Sequence, residues 1–307
     1  MQHFSDRLIA RIREKKSCIC VGLDPHLAHI PDFIQKKNKE KYLQNPFKAA
    51  GRAIVEFNKG IIDAVYDLVP IVKPQIAFYE MFGVEGMQAF LDTVDYAKKK
   101  GLLVLADAKR NDIGSTAEAY ASAFLGEVDV FGQKVKNFDV DAITVNAYLG
   151  YDGVKPFIEA CKKHGKGIFI LVKTSNPSSG DLQDLRTHDE LRHFEIMAHY
   201  LEGWGANDIG KEGYSFVGAV VGATFPKVSK KLRSIMSRAI FLVPGYGAQG
   251  ATADDVKFCF NKDGFGAIIN SSRDIIFAYK KSKQFKETQY GEAARQAVQK
   301  MIKEFRF

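Results

Sequence analysis

The sequence predicts a (β/α)8 barrel, an α/β fold formed here by a single domain over residues 1–307. Two observations carry this prediction: eight short apolar runs alternate with helical segments, and polar residues follow the runs. Continuous apolar runs are typical of parallel strands that are buried on both faces. Strand–helix alternation repeated eight times favours a closed barrel over an open doubly wound sheet.

The predicted strands are separated by connections of ordinary length except after the first and the fifth, where insertions are predicted. The first insertion, His26–Phe47, is polar and rich in lysine. The second, Ser175–Ser215, contains a predicted helix over Leu191–Gly203. The eight strands are predicted over Ser17–Leu23, Val69–Gln75, Leu102–Ala106, Ala142–Val145, Gly167–Val172, Phe216–Val221, Ala239–Val243 and Gly266–Ile269.

The composition indicates a cytoplasmic protein without a membrane partner. Apolar residues make up 46% of the chain, enough for a large core, yet no apolar run reaches the length of a membrane-spanning helix. The amino-terminal segment has helical periodicity, so we expect no secretory signal there. The four cysteines show no metal-ligand spacing, so we expect them to be reduced, buried thiols.

The net charge of +8 is compatible with two kinds of partner. A basic chain can bind nucleic acid, but the lysines are dispersed and no basic–aromatic stripe or known binding motif accompanies them. A general positive field also attracts a small anionic substrate. Charge alone leaves both alternatives open.

A polar or charged residue stands at the carboxyl end of every predicted strand. Active sites of (β/α)8 barrels gather at that end of the barrel. A site to which all eight strands contribute would require this arrangement. The residues are Asp24, Lys73, Asp107 with Lys109, Asn146, Ser175, Thr224, Gln249 and Arg273.

The densest group of charges is the run Asp107–Thr116. Asp107 and Lys109 are two residues apart at a predicted strand end, so we expect their side chains to point the same way. A single Asp–Lys couple is usually a surface ion pair. The whole run after a buried strand is more specific, and it predicts alternating charges in one small volume.

The last two strands carry the features of a phosphate site. Three glycines in Pro244–Gly250 precede a helix predicted to begin near Thr252. Glycine permits close backbone approach, and the N–H groups at a helix start suit an anion. Arg273 follows strand eight, and phosphate sites after strands seven and eight recur in this fold.

Taken together and in order, these segments resemble the orotidine 5′-phosphate decarboxylase family over nearly the whole chain, and specifically its longer subgroup. The Asp-x-Lys-x-x-Asp core is common to a wider barrel superfamily, and the other motifs narrow the resemblance. The motifs are Val21–Pro25, Val72–Pro74, Asp107–Thr116, Lys173–Pro177, Pro244–Gly250 and Asn270–Arg273.

The resemblance implies decarboxylation of orotidine 5′-monophosphate to UMP without a cofactor or a metal. A charged catalytic network would consist of Lys73, Asp107, Lys109 and Asp112. In it, Lys109 would stabilise the carbanion that forms at C6 and protonate it. The charge of Asp107 would repel the substrate carboxylate.

The resemblance also implies binding roles and a homodimer. Asp24 would bind the ribose and Ser175 the edge of the pyrimidine. Gln249 and Arg273 would hold the phosphate, beneath a lid that contains Tyr246. Asp112 and Thr116 would reach into the site of the neighbouring subunit. Lys59 lies on a predicted helix and is left out of the catalytic set.

Two rival hypotheses remain. A Mg²⁺-dependent decarboxylase or aldolase of phosphorylated sugars would share the same core, but such relatives place a metal-binding carboxylate where this chain has Lys73, and a lysine repels Mg²⁺. A nucleic-acid-binding protein without catalytic activity is the alternative from another class. It would show salt-sensitive binding of DNA or RNA and no decarboxylation.

Overall fold

The computed structural model describes residues 1–247 and 252–305, and it confirms the predicted barrel. Eight strands form a closed barrel in the order β1-β10-β9-β8-β7-β6-β3-β2. The strands are β1 (Ile19–Leu23), β2 (Ile71–Pro74), β3 (Leu103–Arg110), β4 (Val128–Val130), β5 (Gln133–Val135), β6 (Ala142–Val145), β7 (Gly167–Lys173), β8 (Val217–Val221), β9 (Phe241–Val243) and β10 (Ala267–Ser271).

Helices alternate with the barrel strands, as predicted. The insertion after the fifth barrel strand is partly helical, and the predicted helix there is confirmed as α9. The helices are α1 (Phe4–Lys15), α2 (Asp32–Lys41), α3 (Pro46–Val65), α4 (Ala77–Glu80), α5 (Gly83–Lys99), α6 (Gly114–Leu125), α7 (Tyr151–His164), α8 (Gly180–Gln183), α9 (His193–Gly205), α10 (Pro226–Ile235), α11 (Ala253–Val256), α12 (Arg273–Ile276), α13 (Ala278–Lys281) and α14 (Tyr290–Glu304).

The residues group into two compact units, the first comprising 1–10 with 109–270. In this first unit, β7 pairs in parallel with β6 and with β8, and all three strands are almost wholly apolar. The ring of Phe4 meets that of Phe169 edge-on, with 6.1 Å between centroids. The amino-terminal segment therefore packs against the start of β7.

The second unit comprises 11–108 and the described residues from 271 onward. Here β2 pairs in parallel with β1 and β3, so that Gly22 is opposite Lys73. Apolar faces of α3, α5 and α14 cover these strands, and the ring of Phe57 stacks on that of Tyr290. Lys73 therefore lies in a buried strand whose other residues are apolar.

Two local features differ from the sequence prediction. The strand β3 continues to Arg110, so Asp107 and Lys109 lie within the strand rather than after it. An antiparallel hairpin, β4–β5, was not predicted because its strands are only three residues long and largely exposed. No described helix is long and apolar enough to cross a membrane.

The cysteines are buried, free thiols, as the sequence predicts. Burial raises the pKa of Cys18 and of Cys20 to about 12 and that of Cys259 to about 11, and it raises the pKa of Cys161 as well. Because the thiolate is the reactive form, these side chains are poor nucleophiles at neutral pH. They belong to the core.

Candidate active site

The ion pair between Lys73 and Asp107 is the centre of the charged residues in the second unit. Lys73 Nζ donates to Asp107 Oδ2 at 2.8 Å, and both residues are buried. Burial alone would lower the pKa of the Lys73 ammonium, but the negative charges of Asp107 and Asp24 outweigh it and the pKa is raised. Lys73 therefore stays a cation throughout the neutral range.

Asp24 follows β1 and lies near enough for its charge to act on Lys73. Its Oδ1 is buried and has no hydrogen-bond partner among the described residues. A buried carboxylate oxygen without a partner is costly, and such atoms usually meet a ligand or an ordered water. The geometry of Asp24 is therefore suited to accept a hydrogen bond from a bound hydroxyl group.

Arg273 is the first residue of α12 and its side chain is exposed. It has no ion-pair partner in the described part of the chain, whereas the neighbouring Asp274 is paired with Lys281. A guanidinium that is not engaged by a carboxylate keeps its donors available for a planar anion. This is the property that a phosphate-binding arginine requires.

Lys109 belongs to the first unit and has an unusual backbone conformation. Its φ is +47°, in the left-handed region, while its N–H donates to Thr144 Oγ1 at 2.9 Å. The side chain is exposed, whereas Asp107 is buried. Side chains two residues apart point the same way only where the backbone is extended. The backbone of Lys109 is not extended, so this rule no longer supports the expectation that Asp107 and Lys109 point the same way. Left-handed backbone at a non-glycine residue is strained and clusters at functional sites.

Asp112 and Thr116 lie around the start of α6. Asp112 Oδ1 accepts a hydrogen bond from the N–H of Ile113 at 2.8 Å, and Thr116 is exposed in the first turn. The backbone of Asp112 borders Gly153 of α7, where an added Cβ would lie 2.8 Å from the Asp112 carbonyl oxygen. The backbone of Asp112 therefore lies against α7, and its carboxylate is held by the N–H of the next residue.

The predicted phosphate loop is only partly supported. Gly245 and Gly247 have φ of +97° and +72°, conformations that glycine adopts most readily. However, α11 has only four residues, and Thr252 and Asp255 form a capping box at its start. The helix begins at Ala253, which agrees with the predicted start near Thr252, and the anion site at this start stays a prediction. Gln249 lies outside the described residues.

Ser175 follows β7 and is partly exposed. Lys173 was not identified as a functional candidate from the sequence. Lys173 is 1% exposed, and its Nζ donates to Asp184 Oδ2 at 2.9 Å. The sequence carried a signal, because a lysine that closes the apolar run of β7 resembles Lys73 at the end of β2. No role was assigned to Lys173 from the motif that contains it.

The potential metal ligands among the described residues do not cluster. Across 1–247 and 252–305, no group of three or more His, Cys, Asp or Glu side chains could hold a metal ion. The nearest acidic residues, Asp24 and Asp107, share their surroundings with the ammonium of Lys73. A cation bound there would be repelled by that ammonium.

The chain is similar to known proteins over most of its length. The sequence model of the orotidine 5′-phosphate decarboxylase / HUMPS family matches residues 17–288. The chain is 48% identical to the orotidine 5′-phosphate decarboxylase of Caldicellulosiruptor bescii over 282 residues, which is 91% of each chain.

Solved structures with similar folds include two from Leishmania donovani. The OMP decarboxylase matches with a TM-score of 0.75 and 30% identity, covering 99% of this chain and 97% of that one. The UMP synthase matches with a TM-score of 0.77 and 31% identity, covering 99% of this chain and 56% of that one. This chain therefore spans little more than half the length of the synthase.

Proposed function

Since this chain belongs to the orotidine 5′-phosphate decarboxylase / HUMPS family, we propose that Lys73, Asp107, Lys109 and Asp112 catalyse its reaction. That reaction is the decarboxylation of orotidine 5′-monophosphate to UMP in pyrimidine biosynthesis, and the enzyme is a carboxy-lyase. The observation that carries the residue assignment is the buried Lys73–Asp107 pair, which places opposite charges at the carboxyl ends of adjacent strands.

Lys109 supplies the proton. When the bond between C6 and the carboxylate breaks, its electron pair stays on C6 and CO₂ leaves. The ammonium of Lys109 stabilises this developing carbanion and then transfers a proton to C6, which completes UMP. The strained backbone of Lys109 supports the assignment, because a fixed backbone limits the positions that the ammonium can reach.

Asp107 faces the substrate carboxylate, and the hydrogen bond from Lys73 holds Asp107 in place. The 2.8 Å hydrogen bond and the burial of both groups support this division of roles. Repulsion between Asp107 and the substrate carboxylate is relieved as CO₂ departs. Lys73 is therefore a positioning residue for Asp107 as well as a part of the charged network.

Three parts of the nucleotide are bound by different residues. The unpartnered Asp24 Oδ1 accepts a hydrogen bond from a ribose hydroxyl group. Ser175 contacts the edge of the pyrimidine, and Arg273 holds the phosphate together with Gln249. Binding energy from the phosphate is remote from C6 and can be used to fix the geometry of the reacting groups.

The active unit is a homodimer in which Asp112 and Thr116 complete the site of the partner. An exposed apolar patch beside Asp112 supports this proposal: Ile113 is 51% exposed, and Tyr148 and Leu149 are 78% and 45% exposed. Leu149 borders the same Gly153 that contacts Asp112. Exposed apolar patches of this kind mark protein–protein contacts.

The enzyme works in the cytoplasm and needs no metal or cofactor. Four free cysteines are consistent with a reducing compartment. The ammonium of Lys73, placed where metal-dependent barrel enzymes have a carboxylate, supports catalysis without Mg²⁺. Nucleic acid is not a partner in this proposal, because the positive charge serves a nucleotide substrate.

The ultraviolet absorbance change of orotidine 5′-monophosphate tests the metal-independent part of the proposal. We expect the purified protein to convert the substrate in the presence of EDTA, with no gain on addition of Mg²⁺. Activity that EDTA abolishes and Mg²⁺ restores would overturn it. The matched control is Lys109→Ala, which should be inactive under both conditions.

A further inference from the structure

Lys173 is a buried lysine at the carboxyl end of a barrel strand, and the proposed mechanism leaves it unused. It closes β7, is 1% exposed, and belongs to the first unit together with Ser175. Its Nζ donates to Asp184 Oδ2 at 2.9 Å and lies 3.4 Å from Ser179 Oγ. A buried ammonium carries a large desolvation cost and is retained only where its partners hold it in a defined position.

Aromatic rings enclose this ammonium. Its Nζ lies 4.9 Å from the ring centroid of Phe225 and 5.6 Å from that of Phe194. Both rings exclude water and contribute cation–π attraction. Asp184 reaches the ammonium from the more exposed side, and it also accepts a hydrogen bond from Arg192 at 3.4 Å. Asp184 thus links Lys173 at the end of β7 to Arg192 at the start of α9.

A second contact holds the residue between Lys173 and Ser175. The N–H of Thr174 donates to Gln183 Oε1 at 3.0 Å, and Gln183 Nε2 donates back to Thr174 Oγ1 at 2.7 Å. Gln183 immediately precedes Asp184, so both contacts come from the end of α8. Gln183 and Asp184 therefore hold Thr174 and Lys173, the two residues that precede Ser175.

The opposite side of Ser175 is limited by the strand β8. The N–H of Gly222 donates to the carbonyl of Lys173 at 2.7 Å, and a Cβ added at Gly222 would lie 3.0 Å from Ser175 Cβ. Ser175 consequently has little room to move towards β8. Its position is fixed by Gly222 on one side and by the contacts from α8 on the other.

We infer that Lys173, through its ion pair with Asp184, is a positioning residue that sets the affinity of the site for the pyrimidine ring. The inference rests on the proposed contact between Ser175 and that ring. Loss of the ion pair releases the segment that precedes Ser175, so the ring contact weakens while the phosphate and ribose contacts are kept.

The test compares two competitive inhibitors, UMP and ribose 5-phosphate, which lacks the ring. For Lys173→Met and Asp184→Asn we expect the inhibition constant of UMP to rise about tenfold, the effect of roughly one lost hydrogen bond. The constant for ribose 5-phosphate should stay within about twofold. Asp184 is 37% exposed in its side chain, so Asp184→Asn serves if Lys173→Met does not fold.

Lys166→Met is the matched control, because Lys166 is also a buried lysine with an aspartate partner, Asp139 at 2.7 Å, but stands before β7 rather than at its end. It should leave both constants unchanged. A second control is Ser175→Ala, which should weaken the binding of UMP and leave the binding of ribose 5-phosphate unchanged. In the double variant of Lys173→Met with Ser175→Ala, we expect no further loss beyond that of Ser175→Ala.

The outcomes separate this inference from the assignment of Ser175. Normal UMP binding by Ser175→Ala would overturn the Ser175 assignment and the inference with it. Weakened UMP binding by Ser175→Ala, with normal binding by Lys173→Met and Asp184→Asn, would overturn the inference alone. Equal losses for UMP and ribose 5-phosphate would also overturn it, because they would indicate a general structural role.

Discussion

Two buried lysines in this protein each donate to an aspartate at a similar distance, but they lie at opposite ends of their strands. Lys73 donates to Asp107 at 2.8 Å at the carboxyl ends of β2 and β3, and Lys166 donates to Asp139 at 2.7 Å before the starts of β7 and β6. Left-handed backbone occurs in both sequence neighbourhoods. Its φ is +47° at Lys109, two residues after Asp107, and +45° at Asp139 itself.

The difference teaches that neither pairing nor strain identifies a catalytic group by itself. In a (β/α)8 barrel the carboxyl ends of the strands carry the chemistry, and the amino ends serve stability. Near Lys166, Arg7 donates to Asp141 at 2.7 Å, so this end of the strands carries a second ion pair. Around Lys73, by contrast, the Oδ1 of Asp24 has no partner among the described residues.

Lys109→Ala should give the largest loss. Removing both the cation beside C6 and the proton donor is expected to lower kcat by about 10⁴-fold or more, from the combined size of electrostatic and general-acid effects. Steady-state decarboxylation of orotidine 5′-monophosphate measures it. A kcat close to that of the unmodified enzyme would contradict the role of Lys109 as cation and proton donor. It would also weaken the argument that the carboxyl ends of the strands, and not the amino ends, carry the chemistry.

Arg273→Ala should have a smaller effect that depends on the phosphate. We expect kcat/KM for orotidine 5′-monophosphate to fall by about 10- to 100-fold, since one charged contact is lost. The control Arg295→Ala removes an exposed arginine paired with Asp67 at 2.7 Å and should leave kcat/KM unchanged. An equal loss for orotidine and for its monophosphate would contradict the phosphate assignment.

Heterodimers sharpen the comparison by asking which chain supplies Asp112. Mixed dimers of Lys109→Ala with Asp112→Ala contain one site with an intact Lys109 and the partner subunit's Asp112. We therefore expect about half the activity of the unmodified dimer, because one of two sites is restored. Native mass spectrometry establishes that the mixed dimer has formed. If it is inactive, Asp112 works within its own chain.

Much of the fold was predictable because buried parallel strands are continuous apolar runs. The prediction for β6, Ala142–Val145, agrees with the structure at both ends, since polar Asp141 and Asn146 flank it. The end of β3 was placed too early because Asp107 and Lys109 are charged, and charged residues usually lie outside a strand. The burial of Asp107 depends on its ion pair with Lys73, which is distant in sequence.

The candidate site was predictable in its residue types but not in its geometry. Lys73 and Asp107 were both proposed from strand ends, yet only the folded chain brings them to 2.8 Å. Lys173 was overlooked because its partner Asp184 lies in an insertion whose short helix has no strong periodicity. The left-handed backbone of Lys109 has no signal in the sequence, because lysine rarely adopts it.

The comparison between the two pairs is tested most directly by Lys73→Met and Lys166→Met, measured for kcat and for the free energy of unfolding. Both variants should lose about 1–3 kcal/mol of stability, because each removes a buried ammonium that is hydrogen-bonded to an aspartate. Only Lys73→Met should lower kcat, by about 100- to 1000-fold. Equal kcat in the two variants would contradict the assignment of chemistry to the carboxyl ends.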